Sequence, residues 1–179
     1  MSVIGSNSII GTNASELIEG TGEFDFIDGG RGSDTIKGFA GDDVIYGGAG
    51  HDDLLGLNGD DDVYGGNGFD TLRGNNGDDY LSGENGNDRL IGGAGLDTLN
   101  GGLGEDTFVS SIRSFDNMTD IIEDFQTGRD KIQLLETSGF TTGVAFDGSQ
   151  YVVTATNDTT GEVLDIFTSS EVINASDIV

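Results

Sequence analysis

Ten aspartates stand at nine-residue spacing along the first part of the chain: Asp25, Asp34, Asp43, Asp52, Asp61, Asp70, Asp79, Asp88, Asp97 and Asp106. A row of carboxylates can do two kinds of chemistry. Two carboxyl groups in unequal environments can divide the roles of acid and base, but a strict repeat makes equal environments. Carboxylates can also hold a hard divalent cation, together with backbone carbonyls. A regular row suits the second use. Other catalytic equipment is missing. There is no Cys, hence no thiol nucleophile and no thiolate metal site, and the single His, His51, reads as a solvated turn residue. The chain is read as a non-enzyme.

The 179 residues carry 33 acidic and 7 basic side chains, a formal charge of -26. Phosphates would be repelled, which excludes nucleic acid as a natural partner. A chain this acidic is either disordered or neutralised by cations. No apolar run approaches the roughly 18 residues that cross a bilayer. Met1 to Ile10 lack the positive flank and long apolar centre of a signal peptide. If the protein is exported, it does not leave by an N-terminal signal in this chain.

A repeat of nine positions the aspartates, and Gly29-Gly30-Arg31-Gly32-Ser33-Asp34-Thr35-Ile36-Lys37 shows it in full. Laid out as twelve windows from residue 2, position 1 is Gly in eleven, and position 4 is Gly in ten. Position 6 is Asp in ten, with Asn7 and Glu16 as the exceptions, and position 8 is apolar in all twelve, from Ile9 to Phe108. The Gly-rich positions are turns. Positions 6 to 9 are a short strand, with position 8 inward and positions 7 and 9 outward. One inward apolar side chain per repeat makes no core alone, but stacked repeats make a continuous one, as in a solenoid. A disordered linker has no reason to keep the row at position 8. Residues 1–109 hold 27 of the 32 Gly, so a boundary falls near residue 109.

The pattern resembles the RTX, or hemolysin-type, calcium-binding nonapeptide repeat, strongly over residues 11–109 and weakly over 2–10. The resemblance implies an all-β fold: a right-handed parallel β-roll over 1–109 with two nonapeptides per coil, and a C-terminal β-rich cap over 110–179. Two turn columns follow. The first stacks Asp34, Asp52, Asp70, Asp88 and Asp106, and the second Asp25, Asp43, Asp61, Asp79 and Asp97. The resemblance also implies calcium ions between position 6 carboxylates of successive coils. Turn carbonyls complete each site: those of Gly30, Gly32, Gly41, Gly48, Gly50, Gly59, Gly66, Gly68, Gly77, Gly86, Gly95 and Gly104. Five Asp per column leave four gaps, so about eight ions in all. Residues 1–109 carry 21 acidic and 4 basic side chains, an excess that eight divalent ions nearly cancel. Magnesium is a poor substitute, because it demands octahedral geometry and keeps its waters. The second column has Phe39, Leu57 and Asn75 where the first usually has Gly, and Glu84 breaks the Gly-Gly pair of the first. Asp42, Asp60 and Asp78, at position 5, read as outer acids around the ions or as solvated turn residues.

Residues 110–179 lose the repeat. Alternation around Ile122 and over Lys131 to Leu134 reads as strands, and Tyr151 to Thr156 with Glu162 to Phe167 as a hairpin. These strands are expected to cover Leu99 and Phe108 of the last coil. Asp120 to Ile132 is similar to the segment that follows the repeats in serralysin proteases and mannuronan epimerase R-modules. The several His of a serralysin zinc site are absent here. Asp177-Ile178-Val179 resembles, one apolar residue short, the type I secretion ending of serralysin-like proteins. The resemblance implies a secreted, extracellular bacterial protein, exported by type I machinery and folding on meeting calcium. The alternative is a calcium-dependent polysaccharide- or surface-binding module. Its candidate faces are the outward rows Phe26, Tyr46, Tyr64, Tyr80 and Lys37, Arg73, Arg89, whose plain readings are strand propensity and local charge balance.

Overall fold

A computed structural model describes residues 7–111, 119–135, 138, 140–146, 150–159 and 163–179. Residues 1–6 of the weak first window, and Thr160 to Glu162 of the expected hairpin, lie outside the described residues. The strands run, in chain order, β1 (Asn7–Ile10), β2 (Leu17–Glu19), β3 (Asp25–Asp28), β4 (Thr35–Ala40), β5 (Val44–Gly50), β6 (Asp53–Asn58), β7 (Asp62–Gly68), β8 (Thr71–Asn76), β9 (Tyr80–Gly86), β10 (Arg89–Ala94), β11 (Thr98–Asn100) and β12 (Thr107–Ser111). Past the repeats come β13 (Asp120–Ile122), β14 (Lys131–Leu135), β15 (Phe140–Phe146), β16 (Tyr151–Asn157) and β17 (Val163–Ser169). Among the described residues no helix is long and apolar enough to cross a membrane.

The strands alternate between two sheets. One has the order β1-β3-β5-β7-β9-β11-β13-β17-β16-β15 and the other β14-β12-β10-β8-β6-β4-β2. Through the repeats every pairing is parallel, and each residue pairs with its equivalent two windows on, as in Ile27 with Ile45 and Ile36 with Leu54. The chain is therefore a parallel β-solenoid with two nonapeptides per coil. The inner strands are longer than the expected four residues, because they continue into the turn of the next window. Turn backbone keeps the ladder there, pairing Phe39 with Leu57 and Gly48 with Gly66.

Strand alternation decides the core. Ile27, Ile36, Ile45, Leu54, Val63, Leu72, Leu81, Leu90, Leu99 and Phe108 are all fully buried. Position 6 shares the inward face with position 8, so the ten aspartates are buried as well. The ladder runs on past residue 109. Ile122 of β13 stacks on Leu99, and Ile132 of β14 stacks on Phe108. The Phe125 ring, also buried, lies 6.1 Å from the Phe108 ring. β17 then adds in parallel to β13, followed by β16 and β15 antiparallel. The last coil is covered, with Leu99 and Phe108 buried beneath it. The final residues are tied down: Ile178 bridges Ile132, and the Val179 N–H donates to the Ile132 carbonyl at 2.8 Å.

Candidate metal centres

The position 6 aspartates form two ladders of their own. In each column the backbone N–H of one aspartate donates to Oδ1 of the aspartate one coil later. Asp34 donates to Asp52 at 2.7 Å, Asp52 to Asp70 at 2.8 Å, Asp43 to Asp61 at 2.8 Å and Asp61 to Asp79 at 2.9 Å. The other oxygen has no such use. Oδ2 of Asp34, Asp43, Asp52, Asp61, Asp70, Asp79, Asp88 and Asp106 is buried and accepts no hydrogen bond.

These oxygens explain the glycines at position 1. A Cβ added to Gly47 would lie 2.6 Å from Asp52 Oδ2, and one added to Gly74 would lie 2.0 Å from Asp79 Oδ2. In the first column a second acceptor converges on the same point. Beside Gly29 are Asp34 Oδ2 and the Gly47 carbonyl, and beside Gly65 are Asp70 Oδ2 and the Gly83 carbonyl. Two buried acceptors without a donor between them repel and lose their hydration. A hard cation reverses that sign, and oxygen-only ligands of this kind suit calcium. Among the described residues no three His, Cys, Asp or Glu side chains gather round one point. An ion here would draw on carboxylates of successive coils and on main-chain oxygens.

Burial also moves the carboxyl groups off their ordinary range. It pushes Asp79 up to about 8, Asp61 and Asp88 to about 7, and Asp43, Asp70 and Asp106 to about 6. Hydrogen bonds from the neighbouring backbone oppose the shift, and the stacked aspartates add to it.

The expected carbonyl ligands stack along the roll. The carbonyls of Gly32, Gly50, Gly68 and Gly86 point at Gly50, Gly68, Gly86 and Gly104, where a Cβ would sit only 1.4–1.7 Å away. Gly41, Gly59, Gly77 and Gly95 repeat this in the second column at 2.0–2.1 Å for the last three. At position 2 the carbonyls of Gly30 and Gly48 point at Gly48 and Gly66, and the Gly30 carbonyl already accepts the Ala49 N–H at 2.9 Å. Phe39, Leu57, Asn75 and Glu84 take the positive φ of their glycine counterparts, 67–87°. Glu84 therefore does not interrupt the first column, where Asp70 still donates to Asp88 at 2.8 Å.

Two arrangements were not foreseen. The ends of the roll close on themselves: Asp25 Oδ2 accepts both the N–H and the hydroxyl of Thr21, at 2.6 and 2.9 Å, and Glu16 Oε2 accepts the Thr12 N–H at 2.6 Å. At position 5, polar side chains accept the N–H of their equivalents one coil later. Asp42 takes Asp60, Asp60 takes Asp78 and Asp78 takes Leu96, while His51 Nδ1 takes Phe69 at 2.8 Å. His51 and the position 5 acids thus hold the turns in register. At the far end Asp124 caps the last turn, accepting the Gly101 and Gly102 N–H groups at 2.8 and 2.6 Å.

On the outer faces, Tyr46 and Tyr64 stack at 4.8 Å and 9°, with Phe26 and Tyr80 tilted against the ends of the pair. Their ring faces are turned on one another. The basic row is used locally: Lys37 pairs with Glu19 at 3.0 Å, Arg73 with Asp53, and Arg89 donates to Gln133 at 2.6 Å.

The model of the RTX calcium-binding nonapeptide repeat matches in four overlapping copies, at residues 19–54, 37–72, 55–90 and 73–108. No curated protein matches the chain. Among solved structures the chain is similar to the extracellular lipase LipA from Serratia marcescens, at 20% identity and a TM-score of 0.36 over 100% of this chain and 40% of the lipase. It is also similar to the AlgE6R3 subunit of the Azotobacter vinelandii mannuronan C5-epimerase, at 20% identity and a TM-score of 0.38 over 99% of this chain and 81% of that one. The AlgE6R2 subunit of the same enzyme matches at 22% identity and a TM-score of 0.42, over 76% of this chain and 90% of its own. The chain spans well under half of the lipase. With its repeats matched from residue 19 to 108 and stacked as a two-nonapeptide solenoid, the chain belongs to the RTX calcium-binding nonapeptide repeat family.

Proposed function

We propose that this β-roll folds as it binds calcium, with the position 6 aspartates as ligands in both columns, and that the coupling times folding to export. The observation that carries the reading is the row of buried carboxylates, in which Asp34, Asp52, Asp61 and Asp70 each use one oxygen and leave the other without a hydrogen bond. Ordering the chain costs roughly 1–2 kcal/mol of backbone entropy per residue, and the repeats bury one apolar side chain in nine. Ion binding supplies the missing stabilisation, so binding and folding become one event. At the low calcium of a cytosol the chain stays unfolded. Outside, where extracellular calcium modules work at about 10⁻⁴–10⁻³ M, it folds. Type I export as an unfolded chain agrees with this order of events. The function is binding and folding, without catalysis. Far-UV circular dichroism at about pH 8 tests the coupling: β-structure is expected to appear on adding calcium and vanish in EDTA. Full β-structure in excess EDTA would sink it.

A further inference from the structure

We infer that the first column holds one calcium ion beyond those between its repeats, bound between Asp106 and Asp130. This rests on the calcium reading above and extends it to a residue outside the repeats. Asp106 is the position 6 aspartate of the last window, and the coil of β13 and β14 stacks on the C-terminal side of that window. Asp130 there takes the place of a position 6 aspartate. It is fully buried, its Oδ1 accepts the Asp106 N–H at 3.1 Å, and it precedes Ile132 as Asp106 precedes Phe108, on which Ile132 stacks.

Asp106 Oδ2 is the second, independent observation: it is buried and without a partner, like those in the coils before it. It sits beside Gly101, 2.6 Å from where a Cβ would be. In the preceding coils of this column that spot is shared with a carbonyl of the next coil, as with Asp88 Oδ2 and the Gly101 carbonyl beside Gly83. By that equivalence the oxygen faces the coil that carries Asp130. Arg129, next to Asp130, is exposed and directs its guanidinium to Gln126 Oε1 at 2.6 Å. Asp130 Oδ2 accepts the Gln126 N–H at 2.7 Å. A carboxylate offers about four lone-pair sites, so the two N–H bonds fix its plane and leave room for an ion.

Equilibrium dialysis of the full chain in saturating calcium, with bound ions counted per chain, tests this. Asp130→Asn keeps an oxygen for the Asp106 N–H and is expected to bind one ion fewer than the wild type. Asp106→Asn is expected to bind two fewer, since Asp106 serves an ion on either side. Circular dichroism in the same calcium verifies that each variant is folded. If Asp130→Asn binds as many ions as the wild type while Asp70→Asn binds two fewer, the calcium reading stands and the added site is overturned. If Asp70→Asn also binds the wild-type number, the calcium ligands are misassigned and the inference falls with them. Should Asp130→Asn fail to fold, Asp106→Asn decides: a loss of two ions supports the site, and a loss of one overturns it.

Discussion

Each internal position 6 aspartate is divided between two tasks. One oxygen holds the preceding coil through its backbone N–H, and in Asp52, Asp70 and Asp88 the other is buried and accepts no hydrogen bond. Asparagine separates the tasks. In Asp70→Asn, Oδ1 still accepts the Asp52 N–H, while Nδ2 replaces the partnerless oxygen and points a donor toward the space shared with the Gly83 carbonyl. Removing an unsatisfied buried acceptor is worth about 1–3 kcal/mol. The variant should therefore fold more readily than the wild type without calcium, yet need more calcium to reach the ion-bound state. The first effect is read as a lower concentration of trimethylamine oxide needed for half the β signal in EDTA, the second as a higher calcium midpoint. A variant matching the wild type in both would show that the free oxygen is neither a cost nor a ligand. A substitution at the edge, Asn7→Ala, should leave the calcium midpoint almost where it is.

At the scale of strands and turns, the sequence shows its period more clearly than its ends. Inward burial of Asp34 or Asp61 follows from their sharing parity with Ile36 and Val63. The position 5 ladder was harder to read, because Ser33, His51, Asp60 and Asn87 share no residue type, only an acceptor atom. The coil beyond the repeats was hidden by its spacing. Asp97 and Asp106 reach Asp120 and Asp130 across 23 and 24 residues, against 18 inside the roll. The surviving signal is the strand half of the motif, Asp120-Ile121-Ile122 and Asp130-Lys131-Ile132. The aromatic row was legible as a row, but only the structure shows that Tyr46 and Tyr64 cover each other's faces. Sugar rings stack on open aromatic faces, and these are closed, so the pair acts as a clasp between β5 and β7. Tyr46→Ala with Tyr64→Ala should lower stability in saturating calcium by about 1 kcal/mol beyond the lost area, and the two Tyr→Phe changes should not. Thermal melts and a neutral-glycan panel together decide it: glycan binding lost in the Ala pair with an unchanged melting point would make the row a binding face instead.

For the whole molecule, protons and calcium compete for the same buried oxygens. In the metal-free fold burial raises Asp43, Asp70 and Asp106 to about 6, Asp61 and Asp88 to about 7, and Asp79 to about 8. An unfolded chain returns them to about 4. Between those limits the folded state holds protons that the unfolded state has released. Stability without calcium is therefore fully present below about pH 4 and falls as pH rises through about 6–8. Acid should replace calcium: in EDTA, β-structure is expected at about pH 4.5 and lost by about pH 8. The formal charge of -26 acts in the same direction, but through repulsion over the whole surface. The midpoint tells the two apart. A midpoint between about 6 and 8 belongs to the buried columns, and one near about 4 belongs to overall repulsion. Calcium must also displace the protons, so binding at about pH 6 should release them and binding at about pH 9 should not. Calorimetry in two buffers of different ionisation enthalpy measures that release. Equal release at both pH values, or a β signal in EDTA that ignores pH, would mean that the columns are ionised in the metal-free fold and that calcium enters sites already charged.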